Sequence, residues 1–178
     1  MKLTTVAFAC LTASMLGGCA GSDLNPIHRS VAFNEAEYIG SDAVGTGSVT
    51  GQAFLVTLGG TVKYGAGRTV CLDPVTSYST QWFDNAVVAS RAMKSGDERA
   101  GKYRRSTIAD GEGRFKFKGL PAGDYYATCH ITWFIDAITE VGGTAHAKVT
   151  VVEGQNTEAV LTEPLGSMRK TEGNGPRR

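Results

Sequence analysis

The chain has almost no surplus of either charge: 18 Lys and Arg stand against 17 Asp and Glu in 178 residues. A single-sign field of the kind that holds a nucleic-acid backbone is therefore excluded. Histidine is scarce. His28, His130 and His146 are scattered over an N-terminal segment and two candidate strands, with no metal-ligand spacing between them. There is no G-x-S-x-G elbow and no glycine-rich phosphate loop ahead of a helix. Cys71 lacks an obvious basic partner to activate it as a nucleophile. Long apolar runs are missing after the first sixteen residues, and none approaches the roughly 18 needed for a membrane helix. No catalytic, cofactor or metal site follows from what is left, so the chain reads as a binding or accessory protein and not as an enzyme.

What the sequence does have begins at its N-terminus. Lys2 precedes the uncharged 14-residue run "LTTVAFACLTASML", the length of a signal-peptide core and short for a bilayer span. The run ends in "LGGC", residues 16–19, which resembles the bacterial lipobox. That resemblance implies a signal peptide over 1–18 and a mature chain starting at lipidated Cys19, carrying palmitate among several acyl chains. Several chains anchor firmly where one would not. Ala20 in place of Asp implies, by the enterobacterial sorting pattern, the outer membrane with the domain facing the periplasm. Removal of 1–18 takes only Lys2 from the charged residues and leaves 160 residues with 17 basic and 17 acidic. Residues 19–46 show no sustained period and read as a tether, with one helical turn around "FNEAEY".

From residue 47 the pattern becomes extended. "GSVTGQAFLVTL" (47–58), "RTVCLDPVT" (68–76), "GRFKFKGL" (113–120) and "DYYATCHITWF" (124–134) are candidate strands. "AHAKVTVVEG" and "NTEAVLTE" read as a closing hairpin around "EGQN". Short strands with turn signals between them and little helix describe an all-β, antiparallel sandwich over 47–163. Residues 164–178 have too few apolar side chains to fold and read as a disordered tail.

Residues 77–106 break the pattern. "FDNAVVASRAMKS" has helical composition, with Asp84 or Asn85 as caps, inside an insertion of a length that is functional or mobile in a sandwich. Arg91, Lys94, Arg99, Lys102, Arg104 and Arg105 face only Asp97 and Glu98 there, a contact for anionic groups or a plain solvated face. Tyr78, Trp82 and Phe83 open the insertion, and Trp133 and Phe134 end a strand. Such aromatics either stack on carbohydrate or protein, or cap the core. Tyr78, Trp82, Phe83, Arg104 and Arg105 are the candidate binding surface. Cys71 and Cys129 are a candidate disulfide that would close nearly 60 residues and contribute about 4 kcal/mol. Strand parity opposes it, turning Cys71 outward beside Val70 and Leu72 while Cys129 points in with Tyr125 and Ile131. A bulge would reverse that, and the pairing stays open.

The corner "ADGEGRFKFKGLPAGDYY" (109–126) sets Phe115 and Phe117 on one face, turns at Gly119, Pro121 and Gly123, and restarts at Tyr125. With "GSVTGQAF", "VCLDPVT" and "KVTVVEGQNTEAVLT", it resembles the carboxypeptidase regulatory-like domain, a transthyretin-like seven-stranded Greek-key sandwich. Its most specific element falls on Asp110, Gly113, Phe115, Phe117, Leu120, Pro121, Gly123 and Tyr125. The family implies a fold and an accessory, adhesive or carrier role, with no reaction. Intradiol dioxygenases share a similar corner, but their iron needs a histidine pair that "HIT" at 130–132 lacks. The "YRRS" at 103–106 is similar to the terminal peptide of hydroxyisourate hydrolases but lies inside the insertion. The expectation is an anchored periplasmic accessory lipoprotein whose partner is an envelope protein or a glycan. Alternatives are a secretion-system outer-membrane lipoprotein of the same fold and a carbohydrate- or peptidoglycan-binding module.

Overall fold

The computed structural model describes residues 25–163 and 169–170; the expected signal peptide, Cys19 and most of the expected tail lie outside them. Strand β1 (Gly47–Val56) sends Val49, Ala53 and Leu55 into the core, all fully buried, and leaves Thr50 and Gln52 outside. β1 pairs antiparallel with β2 (Val62–Tyr64) and β5 (Arg114–Leu120), and parallel with β8 (Asn156–Leu161). The facing sheet runs in the order β4 (Arg105–Ile108), β3 (Thr69–Pro74), β6 (Gly123–Phe134), β7 (Glu140–Val151), with the two-residue β9 (Arg169–Lys170) along β7. Two sheets therefore enclose one core, as expected of a sandwich. Among the described residues the strands of three or more residues number eight and not seven: β2 and β4 join the expected ones, and β7 and β8 both form but not as the expected closing hairpin.

That hairpin is replaced by a crossing. After β7, Gly154 takes a positive φ of 69°, and the Thr46 hydroxyl accepts its N–H at 2.8 Å. The chain then leaves the β7 sheet and lies along the free edge of β1, Ser48 opposite Asn156 and Ala53 opposite Leu161. The inward rows of β7 (Val149, Val151) and β8 (Ala159, Leu161) thus face each other across the core instead of lying side by side. A parallel partner cannot be reached by a tight turn, which is why β1 waits for the last long strand of the domain.

The insertion is helical, but it starts earlier than its composition suggests. Helix α1 (Ser77–Trp82) is capped by Thr76, whose hydroxyl accepts from the Ser79 N–H at 3.1 Å while the Ser79 hydroxyl accepts from the Thr76 N–H at 2.9 Å. Pro74 ends β3 two residues before this cap, so the reciprocal pair forms ahead of Asp84 and Asn85. A wider π turn (Phe83–Val88) continues it. The helix lies on the outer face of the larger sheet. There Phe83 stacks on Tyr126, ring centroids 4.0 Å apart and planes 13° apart. Tyr126 therefore belongs to a second cluster with Phe83 and Val87, while Tyr125 points into the main core with Phe115 and Phe117. The corner aromatics do not form one local cluster, since adjacent strand residues face opposite ways.

Residues 25–46 are not a free tether. Asn34 caps the expected turn, a short 3-10 segment at Glu35–Tyr38. Tyr38 is 2% exposed, packed 4.6 Å from the Tyr103 ring and 5.1 Å from the Phe33 ring. The Ile27 N–H donates to the Ala92 carbonyl at 2.8 Å, and Lys94 donates back to Ile27 at 2.9 Å. The segment is a strap bound over the insertion, held by the buried Tyr38 ring, the half-buried Phe33 packed on it, and the Ile27 backbone pairing.

Cys71 lies opposite Thr128, and Cys129 opposite Val70, in the β3–β6 ladder. The two sulfurs are on opposite faces with no bulge between them, and both thiols are free. Burial pushes Cys129 up to about 11, with Cys71 adding to the shift.

Candidate functional site

A groove of about 750 Å³ crosses the outer face of the smaller sheet and turns over its edge toward β4. Strand alternation builds it. The residues of β1, β5 and β8 that cannot face the core stand side by side on the outside: Thr50 and Gln52, Arg114 and Lys116, Glu158 and Val160. Ile108 from β4, 63% exposed, and Val160, 59% exposed, give it apolar patches. Its polar end is held by the Asp110 turn. The Asp110 carboxylate accepts from the N–H groups of Glu112 (2.9 Å) and Arg114 (2.8 Å), and Gly113 sits at φ 75°. Gln52 donates from Nε2 to the Glu112 carbonyl at 2.8 Å, and the Arg114 guanidinium pairs with the Glu112 carboxylate. The groove thus offers cationic donors, a carboxylate acceptor and small apolar surfaces on a fixed frame. Such a lining has the chemistry to meet a polar ligand.

The residues singled out from sequence lie elsewhere, on the other side of the sandwich. Tyr78 is 5% and Phe83 8% exposed, so neither presents a face to solvent: Tyr78 is covered by Arg29, and Phe83 is spent on Tyr126. Trp82 is half-buried, with the Arg104 guanidinium 5.6 Å from its ring centre. Arg104 pairs with Asp73, Nε to Oδ1 at 2.8 Å. Arg105 donates to the carbonyls of Asp42 and Ala43, both at 3.0 Å, and so ties down the strap. Tyr78, Trp82 and Arg104 do converge, around Asp73. Phe83 and Arg105 do not join them. Burial pushes the Asp73 carboxyl above its ordinary range, against the pull of Arg104.

The basic run is similarly engaged. Arg99 pairs with Asp97 at 2.7 Å and holds that carboxyl down at about 2, and Lys102 lies 5.4 Å from the Tyr103 ring centre. Among the described residues, no group of three or more His, Cys, Asp or Glu side chains is placed to hold a metal ion.

No protein-family model and no curated protein matches the chain. Among solved structures, it is similar to a proposed carbohydrate binding protein of Pseudomonas aeruginosa. The two are 30% identical, with a TM-score of 0.63 over 74% of this chain and 97% of that one. The chain belongs to the same family as that protein. Their shared extent takes in nearly all of the Pseudomonas chain, so the relation is one of whole β-sandwich domains and not of a shared fragment. A minor pilin of Streptococcus agalactiae is 18% identical with a TM-score of 0.37, over 76% of this chain and half of that one, and carries no argument. The relation places this chain among β-sandwich domains. The groove was not legible as a site beforehand, because its residues are mostly ordinary members of strands, and of the Asp73 cluster the sequence supplied Tyr78, Trp82 and Arg104 but not Asp73 or Arg29. The one signal was a lone carboxylate at Asp73, in the outward slot of an otherwise apolar strand end.

Proposed function

We propose that this protein is a non-catalytic carbohydrate-binding domain that takes a glycan in the groove over β8, β1 and β5. One observation carries the reading: a groove of oligosaccharide size with mixed polar and apolar lining, in a domain of the same family as a proposed carbohydrate binding protein. Sugars present hydroxyl groups that both donate and accept, beside C–H faces that pack on apolar carbon. Arg114 and Lys116 supply donors, Glu158 supplies an acceptor, and Ile108 and Val160 supply the apolar contacts. The Asp110–Tyr125 corner supports placing the domain in the carboxypeptidase regulatory-like, transthyretin-like branch of sandwiches. The lipobox at Cys19 supports an anchor in the outer membrane, with envelope polysaccharide as the reachable ligand. Incorporation of labelled palmitate, lost in Cys19→Ala, tests the anchor; an unlabelled wild-type chain would refute it.

The binding test is calorimetric titration of the mature protein with soluble peptidoglycan fragments and neutral oligosaccharides. Arg114→Ala combined with Glu158→Ala is expected to weaken binding by about tenfold or more, since each removes a charged hydrogen-bonding group from an exposed position. Absence of heat with every glycan, or an affinity the double variant leaves unchanged, would defeat the proposal.

A further inference from the structure

The Asp73 cluster is a second, separate site. Asp73 stands on the outer face of the larger sheet and is 8% exposed, covered by the strap, α1 and the turn at Glu98–Tyr103. Beneath that cover lie two adjoining hollows of about 50 and 240 Å³. Arg29, Asp73, Tyr78, Ala100 and Arg104 line both, and Trp82 walls the smaller. Two polar atoms among these residues are buried without a partner: Oδ2 of Asp73 and Nε of Arg29. Asp73 Oδ1 is already taken by Arg104, and Arg29 Nη1 by the Tyr78 carbonyl at 3.2 Å. An orphaned acceptor and an orphaned donor on the wall of one hollow each bear an uncompensated desolvation cost.

We propose that this hollow binds one neutral, polyhydroxylated ring, a single sugar unit. The charges select for neutrality. Arg29, Arg99 and Arg104 are balanced by Asp73, Asp97 and Glu98, so an anion drawn to Arg29 meets Asp73, and a cation drawn to Asp73 meets Arg29. A hydroxyl suits both, because it donates to Asp73 Oδ2 and accepts from Arg29 Nε. The larger hollow holds about eight water volumes at ~30 Å³ each, room for a ring and not for a chain. The Tyr78 ring gives an apolar edge for the C–H groups, and Trp82 walls the adjoining smaller hollow, where it senses what fills the larger. Arg29 belongs to the strap, so a bound sugar fastens the strap to the sheet. This site stands independently of the groove, and it is the place where the aromatic and basic residues of the insertion meet.

The test follows Trp82 fluorescence in the mature protein carrying Trp133→Phe, titrated with glucose and N-acetylglucosamine, with glucuronate and glucosamine as charged counterparts. Saturable quenching by the neutral sugars is expected. It weakens about tenfold in Arg29→Lys, which keeps the charge but loses Nε. It disappears in Ala100→Leu, which fills the hollow and leaves every polar group in place. Arg114→Ala with Glu158→Ala leaves it unchanged, which separates this site from the groove. No saturable change, the same quenching in Ala100→Leu, or a preference for a charged sugar would overturn the proposal. Hydrogen exchange of wild-type protein supplies a second measurement free of substitutions. The neutral sugars slow exchange across residues 27–33, and unchanged exchange at saturating sugar would also overturn it.

Discussion

Gly51→Ala is expected to lower the unfolding free energy by about 3 kcal/mol, toward the upper end of what overpacking costs. Gly51 lies in the middle of β1, between Phe115 of β5 and Ala159 of β8 in the two ladders. It shares the inward parity of Val49 and Ala53. A β-carbon there would meet the Ala159 carbonyl oxygen and come within 2.6 Å of the tip of the Phe115 ring. The carbonyl belongs to a strand paired along its length with β1, so it cannot move without opening the parallel ladder. The ring has little freedom either, set edge-on to Phe117 with centroids 6.0 Å apart. Urea unfolding with an unchanged m-value checks this. Phe115→Leu in the Gly51→Ala background is expected to recover part of the loss, because the two positions share a contact, but not the part due to the carbonyl. A loss under about 0.5 kcal/mol, the range of ordinary surface changes, would show that the β1–β8 ladder yields easily.

The second large effect is electrostatic and depends on pH. Arg104→Ala is expected to cost about 2 kcal/mol at neutral pH, less than a fully buried pair because the Arg104 side chain is 42% exposed. The substitution leaves the Asp73 carboxylate buried and without its counter-ion. Burial already holds the Asp73 pKa above its ordinary value of 3.8, and loss of Arg104 raises it further. In the window between the ordinary value and the raised one, the folded variant takes up a proton that the unfolded chain does not. Falling pH therefore favours the folded variant, and the deficit is largest above the raised pKa. Below the ordinary value most of it is gone. Asp97 and Asp124, both held below their ordinary range by partners, act in the opposite direction but equally in wild type and variant. The comparison cancels them. A deficit that stays constant from neutral to acid pH would mean that Asp73 is not charged in the folded protein.

Local pattern revealed the sandwich, and it failed where partners are set by the whole fold. "RFKFKGL" alternates so cleanly that β5 was legible to within a residue, and the parity of Cys71 and Cys129 opposed their pairing without deciding it, since a bulge is invisible in the pattern. β2 is three residues long and β4 lies in a basic stretch, so neither carries enough alternation to stand out. β8 reads as a strand from its own residues, but nothing local says that it pairs with β1 instead of β7. The Thr76–Ser79 cap escaped notice because serine, not a carboxylate or amide, closes the box. Ile27, Phe33 and Tyr38 follow no period, so the strap looked free until its burial was seen. The groove residues are polar side chains in outward slots, which is what any exposed sheet face shows. Only their gathering around a concave edge distinguishes them.

The parallel partnership of the first and last long strands bears on how the chain folds as it emerges. Ser48 has to wait for Asn156, so the smaller layer stays incomplete until nearly all of residues 47–161 have been synthesised. Closure of the domain is therefore a late event in folding, set by one long-range pairing.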